Sequence, residues 1–297
     1  MMIMKAVLVG SATVDVLGEG VRVGGSVYYG GLALAKHLGV ETHAVTLIDK
    51  RNTDLILGSF LGSGVVLHPV ECSRVPHFVI REGKAVNVVA DECRIPADMV
   101  EKVLEDVRPD ILMLAPVFQE VEVSEYVELL SALDQVKIKS LDIQGFVRSA
   151  AGDEIKCVWS DELFELMGLV DLTHGNLKEF CFSSSGDTVV RRLLENEVLK
   201  SSAVAATMDS RGLYLIAKGD SFKLSSLKVV SVDEVGAGDV FTAVTSHYMA
   251  AGNELPEAVM KGVVAASLKV SRSSRNWFTA EELEERLPEV EVHQHMP

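Results

Sequence analysis

Val229-Val230-Ser231-Val232-Asp233-Glu234-Val235-Gly236-Ala237-Gly238-Asp239-Val240-Phe241 changes character in its middle. A β-branched run enters Gly-Ala-Gly and leaves as an apolar helix that the pattern carries from Val240 to Met249. Small residues let the backbone turn sharply and bring consecutive N–H groups to one point. Those groups lack partners inside the helix, and the helix dipole adds partial positive charge, so the turn can hold an anion. Phosphoryl transfer needs such a place for charge that develops on the phosphoryl oxygens. Asp239 follows in the first helical turn, where a carboxylate can accept the proton of an attacking hydroxyl. The plain alternative is a helix start and nothing more, since Asp is favoured there for the dipole alone.

Outward from this stretch, short β-branched runs alternate with amphipathic ones. Strands are predicted at Ala6–Val9, Ala44–Ile48, Ile111–Ala115, Ile138–Asp142, Val170–Thr173, Ala203–Thr207 and Leu213–Ala217. Helices are predicted at Val27–His37, Ala97–Glu105, Val123–Leu133, Thr188–Asn196, Gly238–Ala251, Leu255–Ser271 and Thr279–Leu287. The last of these opens on a capping-box pattern, Thr279 with Glu282. Such alternation implies an α/β fold with a mainly parallel sheet covered on both faces. Two segments break it. Thr13–Arg22 reads as strand, and Val75–Ala90 as a hairpin turning through Arg81-Glu82-Gly83-Lys84. Extra strands over the C-terminal ends of a parallel sheet lie where a lid would sit. An ordinary edge hairpin is the alternative. Residues 1–297 read as one domain, with a lid from about 13–26 and 75–90 and without repeats or a linker.

At 297 residues and 48% hydrophobic composition, the chain can bury a large core. A formal net charge of −15 excludes a surface that tracks nucleic acid, which needs clustered Lys and Arg. It does not exclude a nucleotide, because a few oriented N–H groups and a metal ion set the local field. The apolar start Met4–Gly10 is too short for a signal peptide core and reads as a first strand, and no run reaches membrane length. A cytoplasmic protein is expected. Cys72, Cys93, Cys157 and Cys181 show no metal-ligand spacing and are expected as free, buried thiols of a reducing compartment. Disulfides are the alternative if the source is a hyperthermophile.

Asp233-Glu234-Val235-Gly236-Ala237-Gly238-Asp239-Val240-Phe241 resembles the C-terminal signature of the ribokinase-like (PfkB) carbohydrate kinases, D-T-x-G-A-G-D-x-F, and departs from it only at Glu234. The resemblance implies a three-layer α/β/α fold with a small β-strand lid, and transfer of phosphate from ATP with magnesium. It makes Asp239 the base and the Gly236, Ala237 and Gly238 backbone the anion hole. Asp15 matches the early Asp that binds substrate hydroxyls, and Gly24-Gly25-Ser26 the N-terminal Gly-Gly motif. Asn176-Leu177-Lys178-Glu179 resembles the N-x-x-E motif that organises magnesium and phosphates, with Asn176 and Glu179 acting on the metal through water. Thr207-Met208-Asp209-Ser210-Arg211-Gly212 stands where the family has its nucleotide loop, and implies Thr207, Asp209 and Gly212 as nucleotide contacts. Each has a plain alternative as a turn or cap. Their order around one specific signature is what speaks for function.

Three departures bear on the ligands. Tyr29 replaces the usual Asn after Gly-Gly, and Met208 and Asp209 replace a small residue and a Gly in the nucleotide loop. Asp142-Ile143-Gln144-Gly145-Phe146-Val147-Arg148 closes a strand, and with Tyr28-Tyr29 it is similar to a small archaeal branch of the family that includes myo-inositol kinase. The implied acceptor is a sugar or polyol, myo-inositol first, held by Asp15, Gly24, Gly25, Tyr29, Gln144 and Arg148. Arg148 has the alternative of a surface pair with Asp153 or Glu154. A nucleoside stacked on Tyr28 or Tyr29 is the second substrate class. A binding sensor without turnover is a reading of another kind, although an intact Asp239 speaks against it. A nicotinamide enzyme lacks its motif, since Gly10-Ser11-Ala12-Thr13 has no G-x-G-x-x-G spacing. Either a monomer or a homodimer is compatible with a short lid.

Overall fold

The computed structural model describes residues 3–18 and 20–297. β1 (Lys5–Val9) leads into a hairpin, β2 (Thr13–Leu17) and β3 (Gly20–Gly24), then α1 (Ser26–Leu32), β4 (Glu41–Asp49), α2 (Thr53–Phe60) and β5 (Val65–Cys72). A second hairpin, β6 (His77–Arg81) and β7 (Lys84–Val89), precedes α3 (Ala97–Val107), β8 (Ile111–Leu114), α4 (Val123–Ser131) and β9 (Ile138–Asp142). The short α5 (Gln144–Val147) opens a third hairpin, β10 (Arg148–Ala151) and β11 (Glu154–Cys157), followed by α6 (Leu163–Gly168), β12 (Leu172–Asn176) and α7 (Gly186–Glu195). β13 (Ala203–Thr207), β14 (Leu213–Ala217), β15 (Asp220–Leu224), α8 (Ala237–Ala250), α9 (Leu255–Val270), α10 (Ala280–Arg286) and β16 (Val292–His295) complete the chain.

Ten strands form one sheet in the order β16-β15-β14-β13-β12-β9-β8-β1-β4-β5. From β13 to β5 every pairing is parallel, while β14, β15 and β16 continue it antiparallel. Central strands read as unbroken apolar runs because both faces are covered: Ala6–Val9 and Ile111–Leu114 are fully buried. α8 packs on β8, β9 and β12 with α1 and α9 beside it, and α3, α4 and α6 pack together as the other layer. The fold is the three-layer α/β arrangement expected, with a second, smaller sheet.

That small sheet has six strands in the order β10-β11-β7-β6-β2-β3. The hairpin through Arg81–Lys84 forms as predicted, with Glu82 and Gly83 both at positive φ (49° and 74°), the two-residue turn that matches strand twist. Two expectations are corrected. Thr13–Arg22 is not one strand but the two arms of a hairpin, paired Thr13 to Gly24 through Leu17 to Gly20, and Glu19 of that run lies outside the described residues. The small sheet also takes a third segment, Arg148–Cys157, which the sequence reading left out. Thr279 and Glu282 form the predicted capping box.

The four cysteines are paired rather than free. Cys72 bonds Cys93 and Cys157 bonds Cys181, with Cα separations of 5.7 and 6.1 Å. The fold brings the end of β5 to the segment after β7, and the end of β11 to the loop after β12, so partners 21 and 24 residues apart meet. No described helix is long and apolar enough to cross a membrane.

Candidate active site

Between the small sheet and the C-terminal ends of the parallel strands lies a cavity of about 700 Å³. The residues implied above as catalytic, acceptor or nucleotide contacts line it, except Gly24 and Tyr28. Strand ends bring Asp142, His174, Asn176 and Thr207 to its floor, and the small sheet contributes Phe78, Ile80 and Ile155 above.

Gly236, at φ 80°, caps α8, a conformation that side chains rarely adopt. A Cβ there would stand 2.2 Å from the Tyr29 ring, and one on Gly238 would stand 2.8 Å from Cε1 of His174. Close packing beneath the turn, more than approach of a ligand, therefore demands both glycines. The N–H of Ala237 is turned back onto the Glu234 carbonyl at 3.3 Å. The N–H groups of Gly236, Gly238 and Asp239 make no hydrogen bond among the described residues. The free donors at the helix start are thus those three, with Asp239 joining the predicted set and Ala237 leaving it.

Asp239 is buried, and Gln144 Nε2 donates to its Oδ1 at 3.2 Å. Burial, and next the charge of Asp142, push its carboxyl up to about 7, against the pull of His174, Arg148 and Gln144. Beside it stands a pair that sequence reading missed. His174 and Asp142 are register partners on β12 and β9, and Nδ1 lies 2.7 Å from the Asp142 carboxylate, both side chains buried. Burial works against an imidazolium, but the Asp142 carboxylate outweighs it and holds His174 above its usual range. The available signal was positional and weak: an acid and a histidine at the same level of two neighbouring strands that also carry Lys139, Ser140, Thr173 and Asn176.

Asp15 is 2% exposed. Thr13 Oγ1 donates to its Oδ1 at 2.8 Å, while Oδ2 has no partner. Gly24 gives it room, since a Cβ there would meet Oδ2 at 2.1 Å. Gly25, at φ 89°, turns the chain into α1 where a Cβ would strike the Ser11 carbonyl. Tyr29 reaches the cavity, but its ring lies beneath Gly236, and Tyr28 packs edge-on against Phe60. Arg148 does not pair with Asp153 or Glu154. It donates to the Val117 carbonyl at 3.3 Å and to Glu179 at 3.4 Å, with its guanidinium over Phe78.

Asn176 and Glu179 are joined, Glu179 accepting from the Asn176 N–H at 2.8 Å. Asn176 Nδ2 also donates to Asp209 at 2.9 Å. Asp209 has φ 54°, so it keeps the left-handed backbone that a glycine would take there, as Asp tolerates. Gly212, at φ 89°, sits where a Cβ would strike the Leu224 carbonyl. Past this loop the cavity wall is largely apolar, with Leu213, Leu227, Val229, Val263, Ala266 and Val270 beside Ser226, Ser231 and Ser267. No cluster of three or more His, Cys, Asp or Glu able to hold a metal occurs among the described residues. The oxygens of Asn176 and Glu179 suit magnesium, and with their present hydrogen bonds they suit it through water.

The model of the pfkB family carbohydrate kinases matches residues 124–277. No curated protein sequence matches the chain. Among solved structures, it is similar to a pyrophosphate-dependent kinase in the ribokinase family, complexed with a pyrophosphate analog and myo-inositol. The TM-score is 0.76 at 17% identity, over 95% of this chain and 100% of that one. It is similar to ribokinase from Thermotoga maritima with a TM-score of 0.72 at 20% identity, over 97% and 100%. Arabidopsis thaliana ribokinase, complexed with ribose and ATP, gives 0.72 at 18% identity over 96% and 99%.

Proposed function

The chain belongs to the pfkB family of carbohydrate kinases, and we propose that it transfers the γ-phosphate of ATP to a hydroxyl of a sugar or polyol, with myo-inositol the leading acceptor. The observation that carries this reading is Asp239 standing at the foot of three unpaired N–H groups, those of Gly236, Gly238 and its own. The acceptor oxygen attacks phosphorus in line, its proton passes to Asp239, and the bond to the ADP oxygen breaks. A carboxyl poised at about 7 is matched to that proton transfer near neutral pH. The N–H groups hold charge on the phosphoryl oxygens.

A polyhydroxylated ring needs acceptors and donors together. Asp15 offers its free Oδ2, Gln144 its amide and Arg148 its guanidinium. Tyr28 packs against Phe60, and the Tyr29 ring, though it reaches the cavity, lies beneath Gly236, which speaks against either as a stacking face for a nucleoside. The apolar slot beyond Gly212 supports a donor with a base, hence ATP over pyrophosphate. With donor bound, magnesium neutralises phosphate charge, and Asn176 and Glu179 would hold it through water. The small sheet acts as a lid that excludes water during transfer. A cytoplasmic location is the one that suits an ATP donor, and two disulfides there would match the intracellular proteins of a hyperthermophile.

The test is ADP release from ATP and magnesium with a panel of polyols, sugars and nucleosides, repeated with pyrophosphate in place of ATP. Release that depends on a polyol or sugar is the expected result. Turnover with nucleosides alone, or with pyrophosphate alone, overturns the acceptor or the donor respectively. Ligand-induced thermal stabilisation without turnover would establish a sensor.

A further inference from the structure

Lys269, near the end of α9, is 1% exposed in an otherwise apolar helix face. Its ammonium is not idle. Nζ donates to the Asp233 carbonyl at 2.9 Å and to the Val235 carbonyl, and stands 3.3 Å from the Asp233 carboxylate. The Tyr29 ring closes the fourth side, its centroid 5.1 Å away. Three oxygens and one aromatic face surround a single cation. A neutral amine has only two hydrogens, so three acceptors call for the ammonium form.

All three oxygens belong to the segment that leads into the anion turn. In a trans peptide the carbonyl and the following N–H point in opposite directions. Holding the Val235 carbonyl from below therefore aims the Gly236 N–H the other way. That N–H is one of the three without a partner. Tyr29 works from the same side, its ring filling the space under Gly236 that a Cβ would otherwise claim. The backbone of the turn is thus gripped by a charge, while the face towards the cavity is left free.

From this geometry we infer that Lys269 is a positioning residue, a built-in monovalent cation that orders the 233–236 segment and aims the Gly236 N–H at the transferring phosphoryl group. The inference rests on the kinase reading for the identity of the anion, but not for the grip itself. Because the cation is covalently tethered, the protein needs no dissolved one at this place. Removing the side chain leaves a hole lined by two carbonyls, a carboxylate and an aromatic face, which suits ammonium or potassium.

Two arms test it. In the wild-type protein, replacing potassium chloride by tetramethylammonium chloride at equal ionic strength should leave turnover unchanged. Turnover lost on that exchange would overturn the inference, with no variant required to fold. In Lys269→Ala, kcat should fall about 100-fold, the scale of one misplaced anion-hole donor, with KM for the acceptor little moved. Ammonium chloride should restore most of the loss and tetramethylammonium none, a rescue that a merely structural lysine would not show. A folded variant with wild-type kcat, or one that ammonium leaves unrepaired, sinks the idea. Lys269→Met, which keeps the volume, gives the same reading of kcat should the alanine variant not fold. If the wild type phosphorylates nothing, the kinase reading fails, and calorimetric binding of pyrophosphate decides instead. The alanine variant must then bind it more weakly than wild type and regain affinity with ammonium, and equal binding overturns the inference.

Discussion

The proposed mechanism asks Asp239 to be buried and to be charged at the moment of transfer. Its carboxyl is raised to about 7, so between the ordinary carboxylate range and about 7 the folded state binds a proton that the unfolded state has released. Stability therefore falls as pH climbs through that window, and the group stays destabilising above it. Asp239→Asn removes the charge. Near pH 8 it should unfold at higher temperature than wild type, by roughly 2–4 kcal/mol, with the gain shrinking towards pH 4. The same variant should lose about 10³-fold in kcat, and wild-type kcat should rise with pH through about 7. A variant that is inactive but no more stable at high pH would mean that Asp239 carries no such strain. The grouping of this candidate site was legible in sequence, because Gly236, Ala237, Gly238 and Asp239 stand in consecutive positions. His174 and Lys269 were not. Their partners, Asp142 and the Val235 carbonyl, lie 32 and 34 residues away and meet them only across neighbouring strands or at a helix end.

Among the elements, strands with one consistent environment could be read and edge strands could not. β1, β8 and β13 are covered on both faces and show it as apolar runs. β5 ends the large sheet, carries Pro69, and mixes buried with exposed positions without a period, so neither strand nor helix pattern emerges. β10 and β11 are half-exposed and polar, and their pairing with β7 rests on one register contact, Glu154 with Asn87. The bond from Cys157 to Cys181 compensates by tying the end of β11 to the loop after β12. That loop also carries Glu179, the partner of Arg148 at the start of β10. Cutting the tie with Cys157→Ser should cost about 3 kcal/mol in denaturant unfolding, the value for closing a loop of this size. It should also speed amide exchange across residues 148–157 more than across β6 and β7. Uniform exchange throughout the small sheet would show that the disulfide anchors the sheet as a whole rather than this hairpin.

For the whole molecule, what matters is how the small sheet is coupled to the phosphate end of the cavity. Besides Arg148–Glu179 and Cys157–Cys181, an ion pair joins the sheet to the anion turn itself. Arg22 on β3 donates to both oxygens of Asp233, each at 3.0 Å, and Asp233 is the residue whose carbonyl and carboxylate Lys269 also holds. At the next corner the β6–β7 turn lies against the anion segment, where a Cβ on Gly83 would stand 3.2 Å from Glu234. Closure of the small sheet, as the proposed lid, and order in the anion turn would therefore be parts of one assembly. The Arg22–Asp233 pair is about a third exposed, so its worth is modest, about 1 kcal/mol even with bidentate geometry. Arg22→Gln should accordingly leave the fold intact and loosen the lid by about that amount. The consequence belongs to water rather than to the acceptor, since an ill-closed cavity admits the commonest competing nucleophile. ADP released without acceptor, relative to ADP released with it, should rise about fivefold in Arg22→Gln. If the ratio is unchanged while overall turnover drops, Arg22 serves the anion turn directly and the small sheet closes by other contacts. If neither changes, the pair is a surface ornament and closure is driven by the apolar residues Phe78 and Ile80 meeting bound ligand.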